Sequence, residues 1–290
     1  MRDRLLRDGF FILAAVFVGL RLLQVAPWAD SVDAYAYWST RDGSMYGGPL
    51  GAEGAGRVGA YLYSPAFAQV LTPLVALPWP IFDAVWTAIN CAALWWLLGR
   101  WALPSLIFLP IPFEIVSGNV HLLIAASIVA ALRLRMAEFW ALPILTKVTP
   151  GIGLLWHALR RDWRGLGAGI GVTAAIVLVS FLLDQEAWRT WIAILQRDAA
   201  ATQLDTTGWY LPIPLLIRAV VGVAVIVWGA LTNRPWTVPI GVTIALPVLW
   251  LNGLAVLAAC VPLAREAAAV RRSASPSTVH AWPRSAGSTR

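Results

Sequence analysis

The chain has 290 residues, of which 59% are hydrophobic and only 13% charged, with a mean hydropathy of +0.70. Soluble domains carry charge on about a quarter of their residues, so that class is excluded. The net charge of +7 would fit a nucleic-acid binder, but the arginines are scattered over loops and tails, and positive-inside topology accounts for them better. Several of the 17 Trp stand at the ends of apolar runs, where membrane interfaces place aromatic belts. Composition therefore predicts an all-α polytopic membrane protein. Cys91 and Cys260 lie in apolar runs far apart and read as core thiols, not a disulfide framework.

In chain order, apolar runs fall at about 9–26, 61–78, 80–99, 101–116, 119–132, 138–158, 166–183, 209–231 and 236–263. Spans need roughly 20 residues. The first run follows Arg2, Arg4 and Arg7 and reads as an uncleaved span, because no small-x-small cleavage site follows it. The fourth and fifth runs are short and read as a broken or re-entrant pair around Ser117-Gly118-Asn119. The last run contains Pro247 and Asn252-Gly253 and reads as one tilted span or two short ones.

Arginine placement puts the N-terminus, the Arg160-Arg161-Asp162-Trp163-Arg164 loop and the tail after Arg265 inside. The loops 27–60 and 184–208 then lie outside, and an even number of spans is favoured. The expectation is a bundle of about 9–10 spans with two long outer loops. Residues 1–265 form one transmembrane domain, and 266–290 a basic tail that ends in a disordered Ser-, Pro- and Arg-rich stretch.

The first outer loop carries Asp30, Asp33, Asp42 and Glu53. Ser31–Trp38 fits a short interfacial helix with Asp33 and Tyr37 on one face. A carboxylate there has two readings: general base for a sugar hydroxyl, or a helix cap or solvated loop acid. Tyr61-Leu62-Tyr63-Ser64-Pro65 opens the second run, with Pro suited to a first helical turn. Its tyrosines read equally as interface anchors. Glu114 and Asn119-Val120-His121 flank the break before the fifth run; alternating count places them at the cytosolic face. No convincing metal cluster stands out, although Asp30, Asp33 and Asp42 could together hold a divalent ion.

All 21 other basic residues are Arg, and the single lysine, Lys147, sits inside the apolar run Phe139–Leu159. A charge at mid-membrane depth costs roughly 3 kcal/mol or more, so it faces a cavity, pairs with an acid or binds an anion. Pro150, just after it, breaks the helical ladder. The open alternatives are a lipid-phosphate site and a buried pair with an acid such as Glu114. Arg133 and Arg135, assigned to the outer end of the fifth run, run against the positive-inside trend, which favours anion binding there. Arg218 lies near the outer third of the eighth run, within snorkelling reach. Gln185–Gln203 reads as an amphipathic interfacial helix with Trp188, Trp191, Ile192 and Leu195 on one face.

Asp33 and Tyr37 after the first span, Tyr63-x-Pro65, Gly118-Asn119 and Lys147-x-x-Pro150 occur in this order. The set resembles the polyprenyl-phosphate-sugar-dependent glycosyltransferases of the GT-C type, and most closely glycosyltransferase family 87, the bacterial alpha-mannosyltransferases. The resemblance runs from about residue 8 to 265. It implies a GT-C-like fold, an inverting hexosyltransferase, Asp33 as catalytic residue, and a donor site of Tyr37, Tyr63, Asn119 and Lys147, to which we add Arg133 and Arg218. The partners implied are a polyprenyl-phosphate sugar donor, with mannose as the sugar expected from the resemblance, a glycolipid or glycan acceptor, and the bilayer. No cofactor, metal or nucleic acid is implied. The site would face the extracytoplasmic side of the plasma membrane. The chain is short for the family, and it has Trp250-Leu251-Asn252 where many members carry His near the last outer turn. Two other classes remain open: a lipid-linked sugar flippase or transporter using Lys147, and a non-catalytic envelope scaffold.

Overall fold

A computed structural model describes residues 1–29, 31–43, 45–46, 61–200, 211 and 213–274. Its regular elements are α-helices joined by short 3-10 segments. In order they are α1 Arg2–Leu22, α2 Val32–Trp38, α3 Pro65–Val75, α4 Trp79–Leu98, α5 Ala102–Ser105, α6 Pro110–Ser117, α7 His121–Arg133, α8 Ala141–Lys147, α9 Leu155–Leu159, α10 Trp163–Leu183, α11 Gln185–Ala200, α12 Leu215–Leu231, α13 Thr237–Ile244 and α14 Cys260–Ala274. Three helical stretches among the described residues are long and apolar enough to cross a membrane: Trp79–Ser105, Trp163–Leu183 and Leu251–Ala269. A fourth is added if α6 and α7, bent by 111°, count as one span. The polytopic all-α membrane fold is therefore the observed one.

The two ends of the bundle differ in charge. At one end Arg100 pairs with Asp3 at 2.9 Å, and Arg133 with Glu266 at 3.4 Å. Arg135 lies close enough to Asp162 to stabilise its charge, and Arg160 donates to the Ala230 carbonyl. At the other end α2 packs between α3, α4 and α6. Trp79, opening α4, meets Tyr35 and Trp38 there. The chain enters that end through Arg21, fully buried at the end of α1. Arg21 donates to the Trp28 and Val116 carbonyls and lies 3.4 Å from Asp83 of α4. A buried guanidinium is tolerated when its donors are matched in this way.

Several expectations change, and one open alternative is decided. The run 61–78 does not cross. Its start joins Asp33's neighbourhood, while the Leu77 carbonyl accepts from Trp38 Nε1 at 2.8 Å, so both ends of α3 stay by α2. Ser64 in extended conformation and Pro65 at the first helical position allow the helix to begin only there, leaving 11 residues, about 16 Å.

The run 138–158 is not one helix. Val148 at φ 58° and Pro150 stop α8, and the chain turns back through a 3-10 segment, Thr149–Leu154, into α9. The arms are pinned by Trp140 Nε1 donating to His157 Nε2 at 3.0 Å. His157 in turn donates from Nδ1 to Asp162 at 2.8 Å and holds that carboxyl below its ordinary value. Gly153 makes this packing possible, since any Cβ there would overlap the Trp140 ring. Lys147 thus sits at the tip of a re-entrant hairpin.

The chain crosses back between Arg100 and Gly118, so Asn119 stands at the α2 end, opposite the arginine-rich end where the count put it. By the same step Arg133 moves to the arginine-rich end, in line with the positive-inside trend. The last run is split: α13 and the segment Leu251–Ala259 are separate arms with Pro247 in the turn between them. The amphipathic helix α11 is present, but it buries Trp188, Trp191 and Ile194, while Ile192 and Leu195 remain exposed. Helix α14 continues past residue 265 to Ala274; 275–290 lie outside the described residues, as do Asp30 and Glu53.

Candidate active site

Four separate segments converge beside α2. The αL turn at Gly118, φ 70°, caps α6 and lets α7 leave at a steep angle. Glycine is needed there twice over. The positive φ disfavours a side chain, and a Cβ would run into Ser31 Oγ and Ala34 of α2. The Gly118 carbonyl accepts from Trp86 Nε1 at 2.6 Å, which ties the turn to α4.

Glu114 holds the other side of the turn. Its fully buried carboxylate accepts from the His121 backbone N–H at 2.5 Å, from Leu122 N–H at 3.4 Å and from His121 Nδ1 at 2.8 Å. An acid from α6 therefore caps the first turn of α7, where backbone donors are otherwise unmet. Asn252 Nδ2 donates to Ser117 Oγ at 3.1 Å and joins the last outer turn to the same place.

The result is a directed chain of hydrogen bonds. Tyr37 hydroxyl donates to Tyr63 hydroxyl at 2.9 Å, and Tyr63 hydroxyl donates to Asn119 Oδ1 at 3.3 Å. Asn119 Oδ1 also accepts from Val120 N–H at 2.8 Å, and the Asn119 side chain hydrogen-bonds the Asp33 carboxylate. With Oδ1 used twice as acceptor, the amide NH₂ is the group facing Asp33. Tyr37, Tyr63 and Asn119 are buried, and Asp33 and Lys147 beside them keep some exposure. The carboxylate and the cation thus stand against a buried, hydrogen-bonded set of side chains.

Lys147 Nζ lies 4.8 Å from the Tyr63 ring centre. Burial raises the Asp33 carboxyl above its ordinary value, while the charge of Lys147 and the hydrogen bond from Asn119 pull it back. Such opposed influences on one carboxyl mark a group whose protonation matters.

Of the residues singled out from sequence, Asp33, Tyr37, Tyr63, Asn119 and Lys147 come together. Arg133 and Arg218 do not. Arg133 ends α7, about 20 Å along the helix from Asn119. Arg218 is spent on backbone, donating to the carbonyls of Ile213, Ile244, Leu246 and Pro247 at 2.5–3.0 Å, and so holds the turn after α13. Sequence reasoning treated Glu114 and His121 as cavity or loop groups, and Glu114 also as a possible partner of Lys147; the pair they form with each other was missed, and their sequence separation of seven, across a turn glycine, was the available signal. No group of three His, Cys, Asp or Glu side chains placed to hold a metal occurs among the described residues. The trio Asp30, Asp33 and Asp42 falls partly outside them.

Comparison with known families matches the model of glycosyltransferase family 87 to residues 61–279, three-quarters of the chain. The chain belongs to glycosyltransferase family 87. The family match covers Tyr63, Asn119 and Lys147, and it begins after Asp33 and Tyr37. Curated proteins gave no match. Solved structures gave none either. A membrane-embedded family 87 glycosyltransferase needs a sugar donor, an acceptor and the bilayer, and the converging segments are where its chemistry would be sought.

Proposed function

We propose that this family 87 member moves a hexose, mannose, from a polyprenyl-phosphate sugar to a glycolipid or glycan of the cell envelope. The single observation that carries this reading is that Asp33, from α2, and Lys147, from the tip of the α8–α9 hairpin, come together against Tyr63 and Asn119. A transferase using a lipid-phosphate leaving group needs a base on one side of the anomeric carbon and positive charge on the other.

In the reaction, Asp33 takes the proton of an acceptor hydroxyl. The acceptor oxygen bonds to the anomeric carbon as the bond from that carbon to the phosphate oxygen breaks. The electron pair leaves with the polyprenyl phosphate, and Lys147 offsets the charge that develops there. One displacement inverts the centre, so a beta-linked donor gives an alpha product. Asn119, fixed by Tyr63 and Val120, orients the carboxylate. The segregation of arginines at the far end supports a site on the extracytoplasmic side of the plasma membrane.

The test is transfer of labelled mannose from synthetic polyprenyl-phosphate-mannose in membranes holding wild type or Asp33→Asn. Label reaching a glycolipid or glycan with wild type alone supports the reading. Full transfer by Asp33→Asn refutes the base, and no transfer by folded wild type over several acceptors favours carriage of the lipid-linked sugar across the bilayer.

A further inference from the structure

The arginine-rich end holds a cavity of about 570 Å³, lined by none of the residues around Asp33. The last turn of α4 supplies Trp96 and Leu97, the end of α7 supplies Arg133, and α14 supplies Pro262, Arg265 and Glu266. Its walls divide by polarity. Trp96, half-exposed, with Leu97 and Pro262, largely buried, supplies the apolar lining. Arg133 and Arg265 supply two guanidiniums.

Charge is not balanced within it. Arg133 is matched by Glu266 at 3.4 Å, with both side chains about half exposed. Arg265 is exposed and has no acidic partner among the described residues. One uncompensated cation beside a loosely held pair invites an anion, and Arg133 can turn to it at little cost because exposed pairs are weak. An open cavity with an apolar wall and a cationic rim fits an amphiphile better than a free ion. Volumes of this size accept a headgroup with the first part of its chains.

We propose that this cavity is a binding site for an anionic glycerophospholipid of the surrounding leaflet, its phosphate held by Arg265 and Arg133 and its acyl chains against Trp96 and Leu97. Basic pockets between spanning helices on the cytoplasmic side are suited to such headgroups. The site ties α14 to α4 and α7, and it is independent of the transfer reaction.

The experiment reconstitutes the full chain in nanodiscs of equal phosphatidylglycerol and phosphatidylcholine and reads retained lipid by native mass spectrometry. Wild type is expected to retain phosphatidylglycerol preferentially. Arg265→Gln should cut that retention about five-fold, and Arg133→Gln with Arg265→Gln further, at roughly a five-fold factor per arginine. Trp96→Ala, on the apolar wall, should lower retention of both lipids at this site. Equal retention of the two lipids by wild type, or unchanged preference in the double variant, overturns the proposal. So does displacement of the lipid by millimolar inorganic phosphate, which would make the cavity a free-anion site.

Discussion

Lys147 lies with its ammonium 4.8 Å from the centre of the Tyr63 ring, and the hydroxyl of that same ring donates to Asn119. One tyrosine thus meets the cation through its face and the base's partner through its edge. The two charged groups of the site are positioned against a common rigid element, although they are 114 residues apart in the chain.

That dual use separates two substitutions. Tyr63→Phe keeps the ring under Lys147 and loses only the hydroxyl link, a net hydrogen bond of about 1 kcal/mol. Transfer should fall about five-fold. Tyr63→Leu also removes the cation–π contact, a further 0.5–2 kcal/mol or so, and should fall roughly ten-fold more. Lys147→Met should cost about 100-fold in kcat/KM, the scale of removing one charge-stabilising group. Steady-state transfer assays in detergent check all three.

The pH profile follows from Asp33. A base must be ionised to work, and burial raises this carboxyl above its ordinary value. Transfer should therefore be lost as pH falls, through an ionisation higher than that of an exposed aspartate. Lys147→Met removes the charge that opposes the rise, so the residual activity of that variant should titrate at still higher pH. A profile of kcat/KM against pH for both proteins is the measurement; a limb unmoved by Lys147→Met would place the ionisation elsewhere.

Glu114 is predicted to be a positioning residue. Glu114→Ala strands two backbone N–H donors and the His121 ring in a fully buried place. Loss of a partner of this kind costs about 3–5 kcal/mol, read as a fall in the midpoint of thermal unfolding in detergent. Glu114→Gln keeps one acceptor for the backbone and can meet the other tautomer of His121. It should retain most stability while shifting transfer more than unfolding.

The hairpin that carries Lys147 depends on Gly153. Gly153→Ala places a methyl group inside the volume of the Trp140 ring. That ring is fully buried and bonded to His157, so it cannot swing away. Overpacking of this kind costs about 1–3 kcal/mol, and the displaced tip should lower transfer as well. Adding Trp140→Leu should restore part of the unfolding midpoint, because it vacates the space the methyl needs. Differential scanning fluorimetry on the single and double variants tests the pairing.

The membrane class and the short helix that carries Asp33 were legible in the residues, while the set Asp33, Tyr63, Asn119 and Lys147, which the fold brings together, was singled out by the family resemblance. Hydropathy reports solvent preference locally, and a lone lysine in an apolar run is conspicuous whatever the fold. Gly118 and Pro65 announced breaks for equally local reasons: one tolerates positive φ, the other lacks a backbone donor. The order of such local marks carried the resemblance, and the match of the family model to residues 61–279 carries the family membership.

What the sequence could not decide was which apolar runs cross and which turn back. A run of 18 to 21 apolar residues satisfies the bilayer whether it spans or folds on itself against protein. The choice for 138–158 was made by Trp140, His157 and Gly153 meeting across the hairpin, and for 61–78 by Trp38 reaching Leu77. The same long-range contacts took Arg133 to Glu266 at the far end and spent Arg218 on carbonyls, so neither cation stands beside Asp33. Residue chemistry and local breaks belong to the sequence. Which runs turn back, and the company each charge keeps, are settled only when distant segments pack.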